Sequence, residues 1–222
     1  MESGILKRAF PNITYPPDKH LEVMKKIVPV TKAPIVSQVY GNAGIEHQEK
    51  YGTKDIHFAK IGYKNHKHSV NNSYAQFRTE LTLEDILNSP RVYGPLTRLQ
   101  CSPTSDGAAA VIICSEDFVK MHKLEDQAVE ILATALTTDT KSSFDGKSRM
   151  SIAGYDMTME AARQVFSKSG RTPKEVQVCE LHDCFSANEL ITYEALGLCE
   201  EGKAAEYIDK YENAILKFVQ LT

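Results

Sequence analysis

The chain has 222 residues, of which 42% are hydrophobic and 25% charged, and its formal net charge is -3. It is long enough to bury a core, and its mixed charge lacks the basic surface that binds nucleic acid. No apolar run approaches the roughly 18 residues that span a bilayer, and the start lacks a secretory signal's apolar core. We therefore expect a globular, intracellular protein without a nucleic-acid partner or a membrane span.

The first hundred residues are predicted to contain two helices. Asp18 is placed to cap a helix over residues 19–28 that Pro29 ends, and the pair Thr82 and Asp85 opens a short helix before Pro90. The glycine cluster of residues 41–44 and the surrounding prolines predict turns. Residues 46–100 are polar and histidine-bearing, which indicates a surface-rich segment rather than a core.

The pattern changes after Cys101. A turn at residues 105–107 precedes a small, branched apolar run to residue 114 that predicts a buried strand. The apolar run 128–136 fits a strand or a helix, and we favour a strand. A helix over residues 157–170 with a glycine stop is followed by a predicted strand over 175–181. This order predicts the α/β class.

A four-residue turn, His182-Asp183-Cys184-Phe185, follows that last strand. Ligands of α/β sheets bind beyond the carboxyl ends of strands, and alternation lets His182 and Cys184 face one pocket while Asp183 points elsewhere. The capping box Ser186-x-x-Glu189 predicts a helix directly after the turn. The positive end of its dipole would lower the pKa of the Cys184 thiol. Cys184 is therefore either a proton-transfer group or nucleophile, or a small buried filler.

The predicted helix has one apolar face, formed by Ala187, Leu190, Ile191, Ala195 and Leu198. The five cysteines include no C-x-x-C pair, so we expect reduced thiols rather than disulfides or a zinc site. Cys179 is predicted to pack in its strand. Three further cysteines are interpreted as structural or incidental: Cys101, Cys114 and Cys199.

Residues 64–68 form a basic cluster in which His66 and His68 have the spacing of a metal pair. The two adjacent lysines disfavour a cation, and no carboxylate is close in sequence. We predict no metal and interpret the cluster as a solvated face. The alternative is a basic pocket edge that meets an anion such as a nucleotide phosphate.

Residues 180–204, ELHDCFSANELITYEALGLCEEGKA, closely resemble the thiolase part of the sterol carrier protein X family. These peroxisomal 3-ketoacyl-CoA thiolases are linked in animals to the sterol carrier protein 2 lipid-transfer domain. The resemblance continues back through residues 101–112 and 49–77 to about Pro17. It implies an α/β thiolase-like fold that is incomplete.

The resemblance also implies a division of the chain into parts. These are an N-terminal segment (1–34), a loop domain (35–99), the last strand region of the N-terminal thiolase half (100–124), the start of the C-terminal half (125–209) and a divergent tail (210–222). The tail carries Ala205, Ile208, Ile215 and Val219 at roughly helical spacing, which fits an amphipathic helix or an alternative exon.

By the same resemblance, His182 helps to form an oxyanion hole, Cys184 is an acid/base, and Asp183 and Phe185 shape the turn. The implied reaction is that of an acyl-CoA C-acyltransferase in peroxisomal fatty-acid, branched-chain and sterol side-chain oxidation. Acyl-CoA and coenzyme A are expected as substrates, with no permanently bound cofactor. No cofactor-binding residues are predicted.

The family's acyl-accepting cysteine and its Gly-His-Pro histidine match no residue of this sequence, so we expect a truncated form that is inactive alone. A non-catalytic acyl-CoA-binding module is the alternative, acting as a homodimer or paired with an intact thiolase subunit. A cysteine hydrolase using Cys184 and His182 is the weakest possibility. The resemblance implies a peroxisomal location. A cytoplasmic one stays open because the chain ends Gln-Leu-Thr rather than Ser-Lys-Leu.

Overall fold

Helices dominate residues 16–211, which are the residues that the computed structural model describes. The α-helices are α1 (Pro16–Ile27), α2 (Ile35–Tyr51), α3 (Asp55–Ser69), α4 (Leu83–Asn88), α5 (Glu116–His122), α6 (Arg149–Ile152), α7 (Tyr155–Ser169), α8 (Ser186–Ala195) and α9 (Ala204–Tyr211). Strands β1 (Arg91–Tyr93) and β2 (Leu96–Thr97) form an antiparallel hairpin. Short 3-10 turns cover Arg98–Gln100, Lys141–Phe144 and Pro173–Glu175.

The core lies where α2, α3 and α8 pack together. Helix α3 contributes buried Phe58 and Ile61, and α8 contributes buried Leu190 and Ile191. The expectation that residues 46–100 form a surface-rich segment is therefore wrong. These residues carry α3 and the end of α2, which form the centre of the fold.

Helix α2 was missed because its buried face is polar rather than apolar. Gln38, Glu46 and His47 are buried on it and reach partners elsewhere in the fold. The His47 ring contacts the Thr53 hydroxyl at 2.7 Å and the Glu194 carboxylate at 2.9 Å. An apolar periodicity is the usual signal of a packed helix, and a face satisfied by tertiary hydrogen bonds does not produce it.

The glycine cluster of residues 41–44 lies inside α2, so the predicted turn there is wrong. A Cβ atom at Gly41 would lie 2.6 Å from Cδ1 of Tyr93, and one at Gly44 would lie 2.9 Å from Cγ of Pro95. The missing side chains let the hairpin and its turn approach the helix closely. Close packing explains these glycines better than backbone freedom does.

The helices with clear end signals are confirmed. Thr82 caps α4: its hydroxyl accepts from the Asp85 amide at 3.1 Å, and its own amide donates to the Asp85 carboxylate at 2.8 Å. Helix α1 ends at Ile27, before Pro29. Gly170 ends α7 with a φ of 67°, a conformation that favours glycine.

Helix α8 is confirmed, but its predicted capping box is wrong. The N-cap residue is Phe185, and no side chain caps it. The Ser186 hydroxyl instead donates to Oε1 of Gln100 at 3.0 Å, and the Glu189 carboxylate contacts side chains of α3 and α8. The Ser186 and Glu189 side chains therefore bind residues other than the backbone amides that a capping box would use. Leu198, which was predicted to lie on the apolar face of α8, lies beyond the end of the helix and is partly buried.

The runs 108–114 and 128–136, predicted as strands, have no regular secondary structure, and of the predicted strand 175–181 only Glu175 lies in an element, at the end of a 3-10 turn. Apolar side chains of the first two runs are exposed, Ile112 by 92%, Val129 by 90% and Leu136 by 94%, whereas Cys179 and Leu181 of the third are partly buried. A strand needs a hydrogen-bonding neighbour, and the hairpin β1–β2 is the one named sheet in the described residues. Of the predicted α/β fold, residues 16–211 therefore show the helices but not the predicted strands, and they are mostly helical.

No helix within residues 16–211 is long and apolar enough to cross a membrane. Ala205 and Ile208 of the predicted amphipathic tail lie in α9, and Ile208 is buried. Ile215 and Val219 lie outside the described residues.

Helix α6 is held by one carboxylate of α2. Glu46 is buried and accepts hydrogen bonds from the Ser148 hydroxyl at 2.8 Å and from the backbone amides of Arg149 and Met150. It therefore acts as an N-terminal cap supplied by another helix.

We expect Glu46→Ala to lower the free energy of unfolding by about 1–3 kcal/mol, because it leaves the buried amides at the start of α6 without an acceptor. Urea denaturation followed by circular dichroism measures the change. The control is Glu49→Ala, which removes an exposed partner of Arg149 and should cost less than about 1 kcal/mol. Equal losses in the two variants would contradict the capping role.

Candidate active site

The turn 182–185 is anchored to the segment that follows the hairpin. The amide of Ser102 donates to the carbonyl of Cys184 at 2.9 Å, and Cys101 forms an antiparallel bridge with Phe185. Helix α8 begins at the next residue, so the turn is held between this bridge and a helix N-terminus. Both sides of Cys184 are thereby tied to the core.

The first three side chains of the turn differ in their exposure. His182 is exposed, Asp183 is buried and Cys184 is half-buried. The carbonyl of His182 accepts a hydrogen bond from the Asn188 side-chain amide at 2.7 Å, which ties the backbone at His182 to α8. The imidazole is thus presented on a fixed backbone.

The Cys184 thiol has a partner that the sequence did not reveal. Tyr40, on α2, is a side-chain hydrogen-bond partner of Cys184, and its ring stacks on Phe185 with centroids 5.1 Å apart. Burial raises the pKa of the Tyr40 hydroxyl, with a further contribution from Cys184, so this hydroxyl keeps its proton. Nothing in the local pattern of either segment indicates the pairing.

The pKa of Cys184 is raised to about 11, and the predicted lowering is therefore wrong. Burial is the largest cause. The hydrogen bonds with Tyr40 and with the backbone of Cys184 and Phe185 act in the opposite direction but do not offset the loss of solvation. Cys184 is a protonated thiol at neutral pH.

We expect alkylation of Cys184 by iodoacetamide to be slow near pH 8, where only about one thiol in a thousand is ionised at such a pKa. The rate should rise roughly tenfold per pH unit towards pH 11, because the reactive thiolate accumulates as pH approaches the raised pKa. Peptide mapping by mass spectrometry resolves the individual cysteines. Exposed Cys114 is the internal reference, and equal rates for the two at pH 8 would contradict the buried thiol.

A cavity of about 650 Å³ adjoins the other side of the turn. Asp183 is among its lining residues, together with apolar Phe77, Leu81 and Leu99 and the cationic Arg98. A cavity of this size suits a small-molecule ligand. His182 and Cys184 are not among its lining residues, so the cavity and the thiol lie on different sides of the turn.

The basic cluster 64–68 lies in the last turns of α3 rather than in a loop. Lys64 and Asn65 contact buried carboxylates, and Nε2 of His66 contacts the carbonyl of Leu99 at 3.1 Å. Among the described residues, no three His, Cys, Asp or Glu side chains are grouped so as to hold a metal ion. Interpreting the whole cluster as a solvated face is wrong, because Lys64 is mostly buried.

All five cysteines are free thiols. Cys101 and Cys179 are partly buried, and burial raises the pKa of both thiols. Cys199 is also partly buried, and burial together with Glu194 raises its pKa to about 12.

Comparison with known proteins agrees with the resemblance carried by the turn. Residues 140–215 match the family described as thiolase C-terminal domain-like. The chain is 54% identical over 213 residues to sterol carrier protein 2 of Oryctolagus cuniculus, covering 96% of this chain and 39% of that relative. The chain is a partial homologue of sterol carrier protein 2. The resemblance noted in the sequence is thereby confirmed.

Two further similarities extend this relationship. Acetyl-CoA acetyltransferase of Methanothermobacter thermautotrophicus is 38% identical over 165 residues, which cover 74% of this chain and 42% of that relative. The structure of the Ltp2-ChsH2(DUF35) aldolase matches with a TM-score of 0.64 at 22% identity, over 80% of this chain and 47% of that chain. This second similarity concerns the fold. The chain spans about 39% of the length of its sterol carrier protein 2 relative.

Proposed function

We propose that this chain supplies the acid/base turn of a thiolase-type acyl-CoA C-acyltransferase. The observation that carries the proposal is the anchored turn itself, on which Cys184 is a thiol with a pKa of about 11 next to a solvent-facing His182. The homology to sterol carrier protein 2 and to an acetyl-CoA acetyltransferase supports the same chemistry.

In the cleavage direction, the bond between the α and β carbons of a 3-ketoacyl-CoA breaks. The acyl group passes to the thiolate of a nucleophilic cysteine supplied by another part of the complete enzyme, which is released again as a thiolate when coenzyme A takes the acyl group, and the electron pair of the broken bond remains on the α carbon of the departing thioester. Cys184, as a thiol, donates its proton to that carbon and becomes a thiolate. The thiolate then takes the proton of the incoming coenzyme A, whose sulfur accepts the acyl group.

His182 is proposed to stabilise the developing enolate. A ring N–H of an exposed imidazole on a fixed backbone can donate to the thioester oxygen as negative charge accumulates there. We propose fatty, branched-chain and sterol side-chain acyl groups as substrates, and the peroxisome as the location.

A chimera tests this function. This chain replaces the 213 matching residues of the Oryctolagus cuniculus sterol carrier protein 2, and the purified chimera is assayed for coenzyme A-dependent cleavage of a 3-ketoacyl-CoA by chromatography of the products. The unmodified relative is assayed in parallel. We expect cleavage by both proteins. Activity of the relative together with an inactive, folded chimera would contradict the proposal.

A second function is favoured by the exposed apolar segments. Residues 105–114 and 128–136 carry exposed apolar side chains on backbone that lies outside any helix or strand, and exposed apolar surface favours association with other chains. We propose that they pair with a second copy of this chain or with an intact thiolase subunit. The chain would then act as a pairing or acyl-CoA-binding module in lipid metabolism or transport.

A further inference from the structure

Five polar side chains form a buried cluster behind the turn that the proposed reaction does not use. Lys64 and Asn65 come from α3, Asp183 from the turn, and Glu189 and Tyr193 from α8. We call this cluster the buried clamp. The Glu189 side chain is 1% exposed and that of Lys64 is 14% exposed, so the pair has little contact with water.

Glu189 is the centre of the clamp. Its carboxylate forms an ion pair with Lys64 and accepts hydrogen bonds from the Tyr193 hydroxyl and, at 2.8 Å, from the Asn65 side-chain amide. The same Asn65 amide donates to Asp183. The Lys64 ammonium also donates to the Tyr193 hydroxyl at 3.2 Å. Helix α3, the turn and α8 therefore meet at one carboxylate.

The two carboxyl groups of the clamp are held in different protonation states. Burial raises the pKa of Asp183, and the charge of nearby Glu189 raises it further, which favours the neutral acid. Burial would also raise the pKa of Glu189, but Lys64 and the hydrogen bonds outweigh burial and lower it. The cluster thus matches one buried anion to one cation.

We propose that Lys64 and Glu189 are positioning residues that hold the His182–Cys184 turn in its reactive geometry. This inference rests on the proposed acyltransferase function. Asp183 directly precedes Cys184, and Glu189 lies in the first turn of the helix that follows it. Fixing these two carboxyl groups against α3 fixes the backbone on both sides of the thiol.

The test measures alkylation of Cys184 by iodoacetamide in the full 222-residue chain, with Cys199 of the same sample as the reference. Lys64→Met leaves the Glu189 carboxylate buried without its cation. We expect the Cys184 rate to rise about tenfold relative to Cys199, because the turn opens locally. The double variant Lys64→Met/Glu189→Gln removes both charges and should return the ratio to within about threefold of the unmodified chain.

A Cys184 rate that is unchanged in Lys64→Met, or that rises in parallel with that of Cys199, would overturn the positioning role. Failure of the double variant to restore the ratio would do the same. If circular dichroism shows that Lys64→Met does not fold, Tyr193→Phe decides the question. It removes one donor to Glu189 and should raise the Cys184 ratio about threefold. These measurements require no catalysis, so an inactive chimera would contradict the proposed function without affecting their result.

Discussion

Cys184→Ala in the chimera is expected to lower kcat for 3-ketoacyl-CoA cleavage by about 10²–10⁴-fold, the range that general acid–base groups contribute. The physical reason is that the departing carbon needs a proton. The buried thiol holds one at neutral pH because its pKa is about 11. KM should change little, since the thiol is proposed to act on the reacting atoms rather than in binding.

The matched control is Cys199→Ala, which also removes a half-buried thiol with a raised pKa but lies outside the turn. Its kcat should stay within about threefold of the unmodified chimera. A pH profile adds a second readout: the cleavage activity that depends on the Cys184 proton should be lost only as pH rises towards the raised pKa of about 11. A Cys184→Ala chimera with a kcat similar to that of the control would exclude the acid/base assignment.

The triple variant Ile112→Lys, Val129→Lys and Leu136→Lys is expected to weaken self-association of the chain by at least about 100-fold. Association buries these side chains, and burying three unpaired ammonium groups is strongly unfavourable. The stability of the helical core should change by less than about 0.5 kcal/mol per site, because each residue is at least 90% exposed. Sedimentation equilibrium measures the association, and urea denaturation measures the stability.

A control with the same added charge replaces exposed polar residues outside residues 105–114 and 128–136: Asn71→Lys, Ser73→Lys and Ser167→Lys. This variant should associate like the unmodified chain, which separates a local apolar contact from a general effect of charge. A monomeric unmodified chain that also fails to bind an intact thiolase subunit would contradict the pairing function.

The fold was predictable where structure is encoded by neighbouring residues. Caps and stops at Thr82, Pro29 and Gly170 defined helix ends, since these signals act within a few residues. That His182 and Cys184 face one pocket stays a prediction from extended backbone geometry. The apolar runs 108–114 and 128–136 were wrongly predicted to be strands, because strand formation depends on a hydrogen-bonding neighbour that the local pattern does not reveal.

The sequence by itself determined where the turn lies, which side chains it carries and which proteins it resembles. Only the tertiary structure decided the environment of those side chains. Tyr40 and Asn65 reach the turn from distant helices, Asn65 and Asp183 being 118 positions apart. Burial raises the pKa of Cys184, whereas the dipole of the following helix, considered alone, predicts a lowered pKa. Desolvation depends on everything packed around a group, and a short sequence window contains only part of it.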